Sequence, residues 1–447
     1  MTAVLLVTFV CLLLLNVPVA FCMVLASLAA LVWAGIDPIM VGLETTRAMS
    51  TFYSFLAVPF FILAGEIMSQ GGLSQRLIGF VTALVGHRRT GLPAVTVISS
   101  QMFGAISGAS SATCAAIGSV MIPAMEDSGY SRPFATALSA CAGTTGALIP
   151  PSITLLIYGT VAGVSIEKLF IGGIGPGILI GLGLILVSWF TCRKQEMTAA
   201  ARPGFGHVVR QGGRAVWAML LAVIIFGGIM GGFFTATEAS AVAVVYALVV
   251  GFVIHRQLRI RQLPDLFVRA AKTSAVLSFL IACASLFAWT LSIGKLPQVL
   301  ASGLLEVCDT IVRAWPAQLD PAELALARRV LVLMFLNITL LVVGMFMDAG
   351  PTLLIVVPVL LPISQAIGMG RGLAAVHFGV LVVANLVIGL ITPPVGTTLF
   401  VASAVGRVKM SQMVPYVLRF MVVMIAVQLL ITYFPPITTW LPGLLEN

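Results

Sequence analysis

Long apolar runs recur from one end of the chain to the other, and they constrain its folding more than any other feature. Such stretches lie at residues 169–190, 215–234, 239–254, 273–293, 330–347, 378–391 and 414–433. About 20 apolar residues in helical conformation cross the ~30 Å hydrocarbon layer of a bilayer. No water is available there to satisfy free backbone N–H and C=O groups, so a spanning segment must be a helix or part of a closed barrel. The runs are continuous rather than alternating, which argues against a barrel. An all-α integral membrane protein is expected, with about ten to twelve spanning elements when broken ones are counted. Only 9% of the residues are charged, against roughly 25% in soluble domains.

The net charge of +9 reports orientation, not nucleic-acid binding. Arg193, Lys194, Arg202, Arg210 and Arg214 fill the loop 192–214, and Arg256, Arg259, Arg261, Arg269 and Lys272 fill the loop 255–272. Basic loops stay in the cytoplasm, so both are placed there. The two runs between them, joined by a turn at 234–238, then form a hairpin of helices. The mixed-charge stretch 295–329 falls on the opposite side. Its Leu304, Val307 and Ile311 recur at helical spacing, as in a helix lying along the interface; the sequence assigns no role to 301–329. The seven cysteines form no CxxC pair and read as small buried hydrophobes. Residues 1–34 have no basic leader region and no small-residue cleavage site, so they read as retained helix with a kink or turn at Asn16 and Pro18.

The chain also repeats itself. Pro150-Pro151 begins 48 residues after Met102, and Pro393-Pro394 begins 48 residues after Met345. The flanks agree: ALIPPSITLLIYG at 147–159 parallels LITPPVGTTLFVA at 390–402, with Thr154 on Thr397. Proline lacks an N–H and pushes the preceding residue out of the α region. Non-helical backbone at membrane depth must face protein or a water-filled cavity. Interrupted helices at matching places in two halves mark the binding site of a secondary transporter. Freed carbonyls suit a hard cation, and half-helix N-termini suit an anion.

Residues 102–123 carry a soft, polar centre with Gly104, Ser107, Gly108, Ser110, Ser111 and Thr113. They read as a re-entrant hairpin whose tip lies near 107–111; the other reading is a small-residue packing face, with Gly104 and Gly108 as GxxxG. The second copy, 345–366, places Asp348 beside Gly350-Pro351, with Thr352 and Thr392 available to the same locus. An acid at membrane depth is costly and marks function. Asp348 also fits as a cap on the half-helix that follows, and the two roles are compatible.

These segments, with VPFFILAGEIM (58–68), ALVGHRRTGLPAVTV (83–97), IPPSITLLIYGTVAGVSIEKLFIGGIGPG (149–177), FTATEASAVA (234–243), GMFMDAGP (344–351) and HFGVLVVANLVIGLITPPVG (377–396), resemble the large membrane subunit of tripartite ATP-independent periplasmic (TRAP) transporters, the DctM family. The resemblance covers nearly the whole chain. It implies two inverted repeats, each with a re-entrant hairpin and a broken helix at 143–151 or 389–397, in an elevator-type fold like that of the ion transporter superfamily. It implies scaffold helices at 1–97, 169–330 and 411–447, and the two halves of a transport domain at 98–168 and 331–410. It implies sodium as the coupling ion, with no other cofactor and no transition metal. The partners implied are a small four-helix membrane subunit, a periplasmic substrate-binding protein, a carboxylate-bearing organic anion and membrane lipid, at the bacterial inner membrane.

Carried over from the family, the first cation site comprises Gly104, Ser107, Gly108, Ser110 and Ser111 with Gly143, Thr144, Thr145 and Pro150. The second comprises Met347, Asp348, Gly350 and Thr352 with Thr392, Gly396 and Thr397. Substrate between the tips would meet Ser110, Thr145, Thr352 and Thr397. Some relatives carry an acid where this chain has Thr113. No four-helix segment precedes Met1, so a separate small subunit is expected.

Other readings are kept beside this one: a standalone sodium–anion symporter, a scaffold without transport, a membrane-embedded enzyme, or coupling to protons. Against an enzyme, the sequence has no HExxH, P-loop or GxSxG motif. GGIGPG at 172–177 follows no strand, which argues against a dinucleotide site. Against protons, Asp348 is the one strong titrating candidate, whereas hydroxyls and carbonyls suit sodium. Glu66 reads as a helix-end residue at the interface, Glu238 as the acid of a capping box with Thr235, His87 with Arg88 and Arg89 as a headgroup contact, and His377 as lacking a second metal ligand.

Overall fold

The computed structural model describes residues 1–15, 17–37, 39–51, 53–88, 90–193, 203–313 and 320–444. The expectations at Asn16, Arg89, Lys194, Arg202 and 314–319 lie outside the described residues. Within them the chain is helical throughout. It opens with α1 (Thr2–Leu14), α2 (Val19–Trp33), α3 (Ile39–Thr51), α4 (Ala57–Gln70) and α5 (Leu73–Val85). The first repeat holds α6 (Gly91–Ser107), α7 (Ser110–Asp127), α8 (Arg132–Thr145) and α9 (Ile153–Ala162). Then come α10 (Ile166–Cys192), α11 (Phe205–Met230), α12 (Ala236–Val249), α13 (Leu263–Ile293) and α14 (Leu296–Arg313). The second repeat holds α15 (Pro321–Phe346), α16 (Ala349–Ala366), α17 (Gly372–Gly389) and α18 (Thr397–Gly406), followed by α19 (Met410–Tyr433) and α20 (Pro436–Gly443). Eight of the described helices are long and apolar enough to cross a membrane.

Counting crossings from the basic loops shows that the second repeat is inverted. Because α10 runs toward the cytoplasmic loop after Cys192, α9 ends on the periplasmic side and α8 begins on the cytoplasmic side. The first hairpin, α6–α7, therefore opens toward the cytoplasm. Helix α13 leaves the second basic loop and ends on the periplasmic side, so α15–α16 opens toward the periplasm. The broken helices α8–α9 and α17–α18 cross in opposite directions. The first hairpin exceeds the expected 102–123, because both arms continue to Gly91 and Asp127. The apolar pattern marks only the part at the tip.

Helix α10 carries glycines where it meets other backbones. A Cβ on Gly173 would lie 2.5 Å from the Leu148 carbonyl oxygen, and one on Gly175 2.5 Å from that of Ile437. Gln101 Nε2 donates to the Gly177 oxygen at 2.6 Å. Helix α10 thus packs on α6, α8, α9, α17, α19 and α20, and α19 packs on α8, α10 and α17. Helices α10 and α19 thus each touch both repeats as well as each other. Long apolar helices look alike in sequence; the glycine face of α10 decides its neighbours. Helices α1–α4, α12 and α13 form the other packed group, and α13 also touches α16.

Candidate functional site between the hairpin tips

At the first tip, Gly108 ends α6 with φ +63°, a left-handed conformation that glycine adopts without strain. A Cβ there would lie 3.1 Å from the Ile153 nitrogen. Gly104 and Gly146 cross so closely that a Cβ on Gly104 would lie 2.1 Å from the Gly146 Cα. The hairpin therefore seats its backbone against the interruption of α8–α9, at residues 146–152. The Ile153 N–H donates to the Gly108 oxygen at 3.4 Å. The hydroxyls of Ser107 and Thr113 lie 2.8 Å apart, and Thr113 Oγ1 donates to the Ala109 oxygen at 2.9 Å. Ser152 caps α9 by accepting from the Leu155 N–H at 3.2 Å. Within the interruption, Pro150-Pro151 is cis, as is Pro393-Pro394 in the second repeat.

The second tip repeats the construction. A Cβ on Gly389 would lie 2.7 Å from the Gly344 Cα, and Gly396 turns with φ +59°. The Gly396 N–H donates to the Met345 oxygen at 2.9 Å, and the Thr398 N–H to the Leu390 oxygen at 3.1 Å. The buried hydroxyls of Thr397 and Thr398 find no partner. Asp348 occupies the N-cap position of α16, where its carboxylate meets the Ala349 N–H but makes no capping bond deeper in the helix. Its backbone oxygen instead accepts from Thr352 Oγ1 at 2.8 Å.

Both tips open on one cavity of about 580 Å³. Ser110 and Ser111 begin α7, Ile153 and Thr154 begin α9, and Ala349 and Gly350 begin α16; all six line it. Three helix N-termini, each carrying partial positive charge from unsatisfied N–H groups, therefore converge on one space. Its charged side chains are Asp348, Glu66 from α4 and Lys272 from α13. A second cavity of about 410 Å³ shares Ile62, Glu66, Ala109, Ala112 and Thr273 with the first and extends past Ser107 to Ser69 and Ser119. It leads toward the cytoplasmic ends of α4 and α7. Arg76, in the first turn of α5, donates from Nη1 to Gln257 Oε1 in the basic loop at 3.3 Å.

Of the residues expected at the site, the larger cavity brings together Gly108, Ser110, Ser111, Asp348 and Gly350. Ser107 lines the adjoining one. Gly104, Gly143, Thr144, Thr145 and Pro150 are buried behind the first tip. Thr392 and Gly396 are buried around the second tip, and Met347 and Thr397 are half-buried there. Three of the four expected substrate contacts, Thr145, Thr352 and Thr397, do not line the cavity. Thr145 Oγ1 donates to its own helix, at Ala142 O, at 2.7 Å, and Thr352 is turned the same way toward Asp348. Hydroxyls on half-helices satisfy the preceding turn when no ligand competes, which sequence spacing does not reveal.

Glu66 and Lys272 were not expected here. Glu66 was assigned to a helix end at the interface, and Lys272 to a cytoplasmic loop. Lys272 instead sits in the third turn of α13, which begins well before the apolar run at 273. The signal was present: Pro264 and Asp265 occupy its first turn, the residue types that open a helix. Glu238, by contrast, forms the expected capping box: its Oε2 accepts from the Thr235 N–H at 2.8 Å. His377 is buried, with Nδ1 2.7 Å from Thr438 Oγ1. Among the described residues no group of three or more His, Cys, Asp or Glu gathers as a metal site.

The family model described as "Tripartite ATP-independent periplasmic transporter, DctM component" matches residues 6–437. The chain belongs to the DctM family. It is 38% identical over 439 residues to the isethionate TRAP transporter permease DctMQ of Oleidesulfovibrio alaskensis, covering 97% of this chain and 65% of that longer protein. It is also 38% identical to the C4-dicarboxylate large permease DctM of Pseudomonas aeruginosa, covering 88% of this chain and 87% of the relative. Against the 2,3-diketo-L-gulonate large permease YiaN of Escherichia coli the identity is 34%, with 94% of each chain covered. Among solved structures, the YdaH transporter of Alcanivorax borkumensis matches with TM-score 0.59 at 14% identity, over 87% of this chain and 86% of that one. MtrF of Neisseria gonorrhoeae matches with TM-score 0.54 at 15% identity, over 88% and 84%. These two neighbours establish the fold. As a DctM protein, the chain is a large permease component of a TRAP transporter, a multi-pass protein of the bacterial inner membrane and not an enzyme.

Proposed function

We propose that this DctM chain imports a small carboxylate-bearing organic anion, driven by sodium and dependent on a periplasmic binding protein and a small membrane subunit. The observation that carries the reading is the convergence of three helix N-termini, those of α7, α9 and α16, on the 580 Å³ cavity. An anion there is stabilised by dipoles fixed in place before it arrives. The relatives named for isethionate, C4-dicarboxylates and 2,3-diketo-L-gulonate support an organic acid.

Sodium fits the residues behind the tips. It takes oxygen ligands, and the buried hydroxyls of Thr397 and Thr398 at the second tip have no partner, while Asp348 lines the cavity. At the first tip the Ser107 and Thr113 hydroxyls and the carbonyls of 143–150 would hold the ion. A bound cation at each tip lowers the cost of seating an anion between them, which couples the two fluxes. The hairpin body, with the broken helices, would carry the cavity across the membrane against α4 and α13 in an elevator movement.

The test is uptake into proteoliposomes holding this chain and its small subunit, supplied with a binding protein loaded with labelled acid. Uptake under an inward sodium gradient that disappears with potassium, or without the binding protein, is the expected result. Uptake without the binding protein would identify a standalone symporter instead, and uptake driven by a proton gradient alone would refute sodium coupling.

A further inference from the structure

Two charged side chains on the helices facing the hairpins have no role in the reading above. Lys272 and Glu66 both line the larger cavity, and among the described residues neither makes an ion pair. Charge in a membrane protein is costly unless it is paired or faces a wet cavity with a task. Among the described residues, Lys272 is the one basic side chain on the cavity wall. It projects from the same face of α13 as Thr273, Val276 and Leu277, all of which line the cavity.

Their spacing supplies a length scale. Leu277 Cδ2 lies 3.9 Å from the position a Cβ would take on Gly350, at the second tip. Five residues separate Leu277 from Lys272, about 7.5 Å along the helix axis. The cavity therefore holds two positive loci, several ångström apart, on different packed groups of helices. One is the cluster of helix N-termini at the tips. The other is an ammonium on a flexible stem that can adjust its reach.

We infer that Lys272 is a specificity-determining residue that pairs with the second acidic group of a dianionic substrate, while the tips hold the first. Resting on the anion reading, this narrows the substrate class to acids with two anionic groups several ångström apart. A monoanion satisfies only the tips, whereas a dianion also gains the pair with Lys272, and that gain is the source of the discrimination. The pairing belongs to the state in which the hairpin body lies against α4 and α13 as seen here.

The test is direct binding to the detergent-purified full chain in sodium, comparing succinate and glutarate with their half-amides, which keep the length and remove one charge. A charge-assisted pair is strong enough that the wild-type chain should prefer the better dianion about tenfold to hundredfold. Lys272→Gln should abolish that preference, and an unfolding midpoint equal to that of wild type shows that the variant is folded. Lys272→Arg should retain most of the preference. If wild type binds the dianions preferentially and Lys272→Gln keeps the same preference, the role of Lys272 is refuted while the anion reading stands. If wild type binds dianion and half-amide equally, the inference is overturned on its own. If wild type binds none of the four acids, the anion reading falls and the inference with it.

Discussion

Replacing Gly104 with alanine tests whether the hairpin must seat backbone against backbone. The new methyl would lie 2.1 Å from the Gly146 Cα, 2.8 Å from its carbonyl carbon and 2.9 Å from its oxygen, whereas ordinary contact begins at 3.4 Å. The two backbones would have to separate by about 1.3 Å at this point. Overpacking a core costs about 1–3 kcal/mol. Here the obstacle is main chain that no rotamer can move aside, so about 3 kcal/mol is expected, roughly a hundredfold in the folding equilibrium. Gly118→Ala is the control. It lies on the other arm of the same hairpin, where a methyl meets Ile122 Cδ1 at 3.4 Å and Ser139 Cβ at 3.5 Å, and alanine favours the helix by about 1 kcal/mol. The assay is the unfolding midpoint of the purified chain in detergent, in sodium chloride and in potassium chloride. Gly104→Ala should fall below both wild type and Gly118→Ala and lose any stabilisation specific to sodium. A Gly104→Ala chain with the wild-type midpoint and the wild-type sodium response would refute the close crossing.

Two further outcomes are expected. Asp348→Asn should reduce uptake far more than Glu238→Gln, because Asp348 faces the cavity while Glu238 serves a cap with Thr235; equal losses in the same uptake assay would remove Asp348 from the site. Ser107→Ala with Ser110→Ala should raise the sodium concentration needed for half-maximal uptake, and an unchanged sodium curve would remove both serine hydroxyls from the first site, leaving Thr113 and the backbone carbonyls.

The interruptions of the helices are legible in the sequence because they are local. Gly108, Pro150-Pro151 and Pro393-Pro394 decide their own backbone through φ, a missing N–H or a steric block on the preceding residue, and each tip and break lies where those residues predict it. The membrane setting follows from run length and the side of each basic loop from its charges, which are equally additive along the chain; the inversion of the halves comes from the family resemblance. Orientation around a helix axis is not additive. Whether Thr352 faces a cavity or its own turn, and whether Lys272 ends a loop or lines a cavity, depends on the rotation of each helix against all of its neighbours.

The same holds for the polar contacts at membrane depth. Asn337 Oδ1 accepts from Asn385 at 2.6 Å and from Gln428 at 3.0 Å, joining α15 to α17 and α19 across separations of 48 and 91 residues. No local pattern announces those partners, since an isolated Asn in an apolar run states only that it needs one. Residue type along the chain sets where this backbone must break and which side of the membrane each loop keeps. Packing, through contacts between residues far apart in the chain, selects which groups meet in the cavity and gives it its charges.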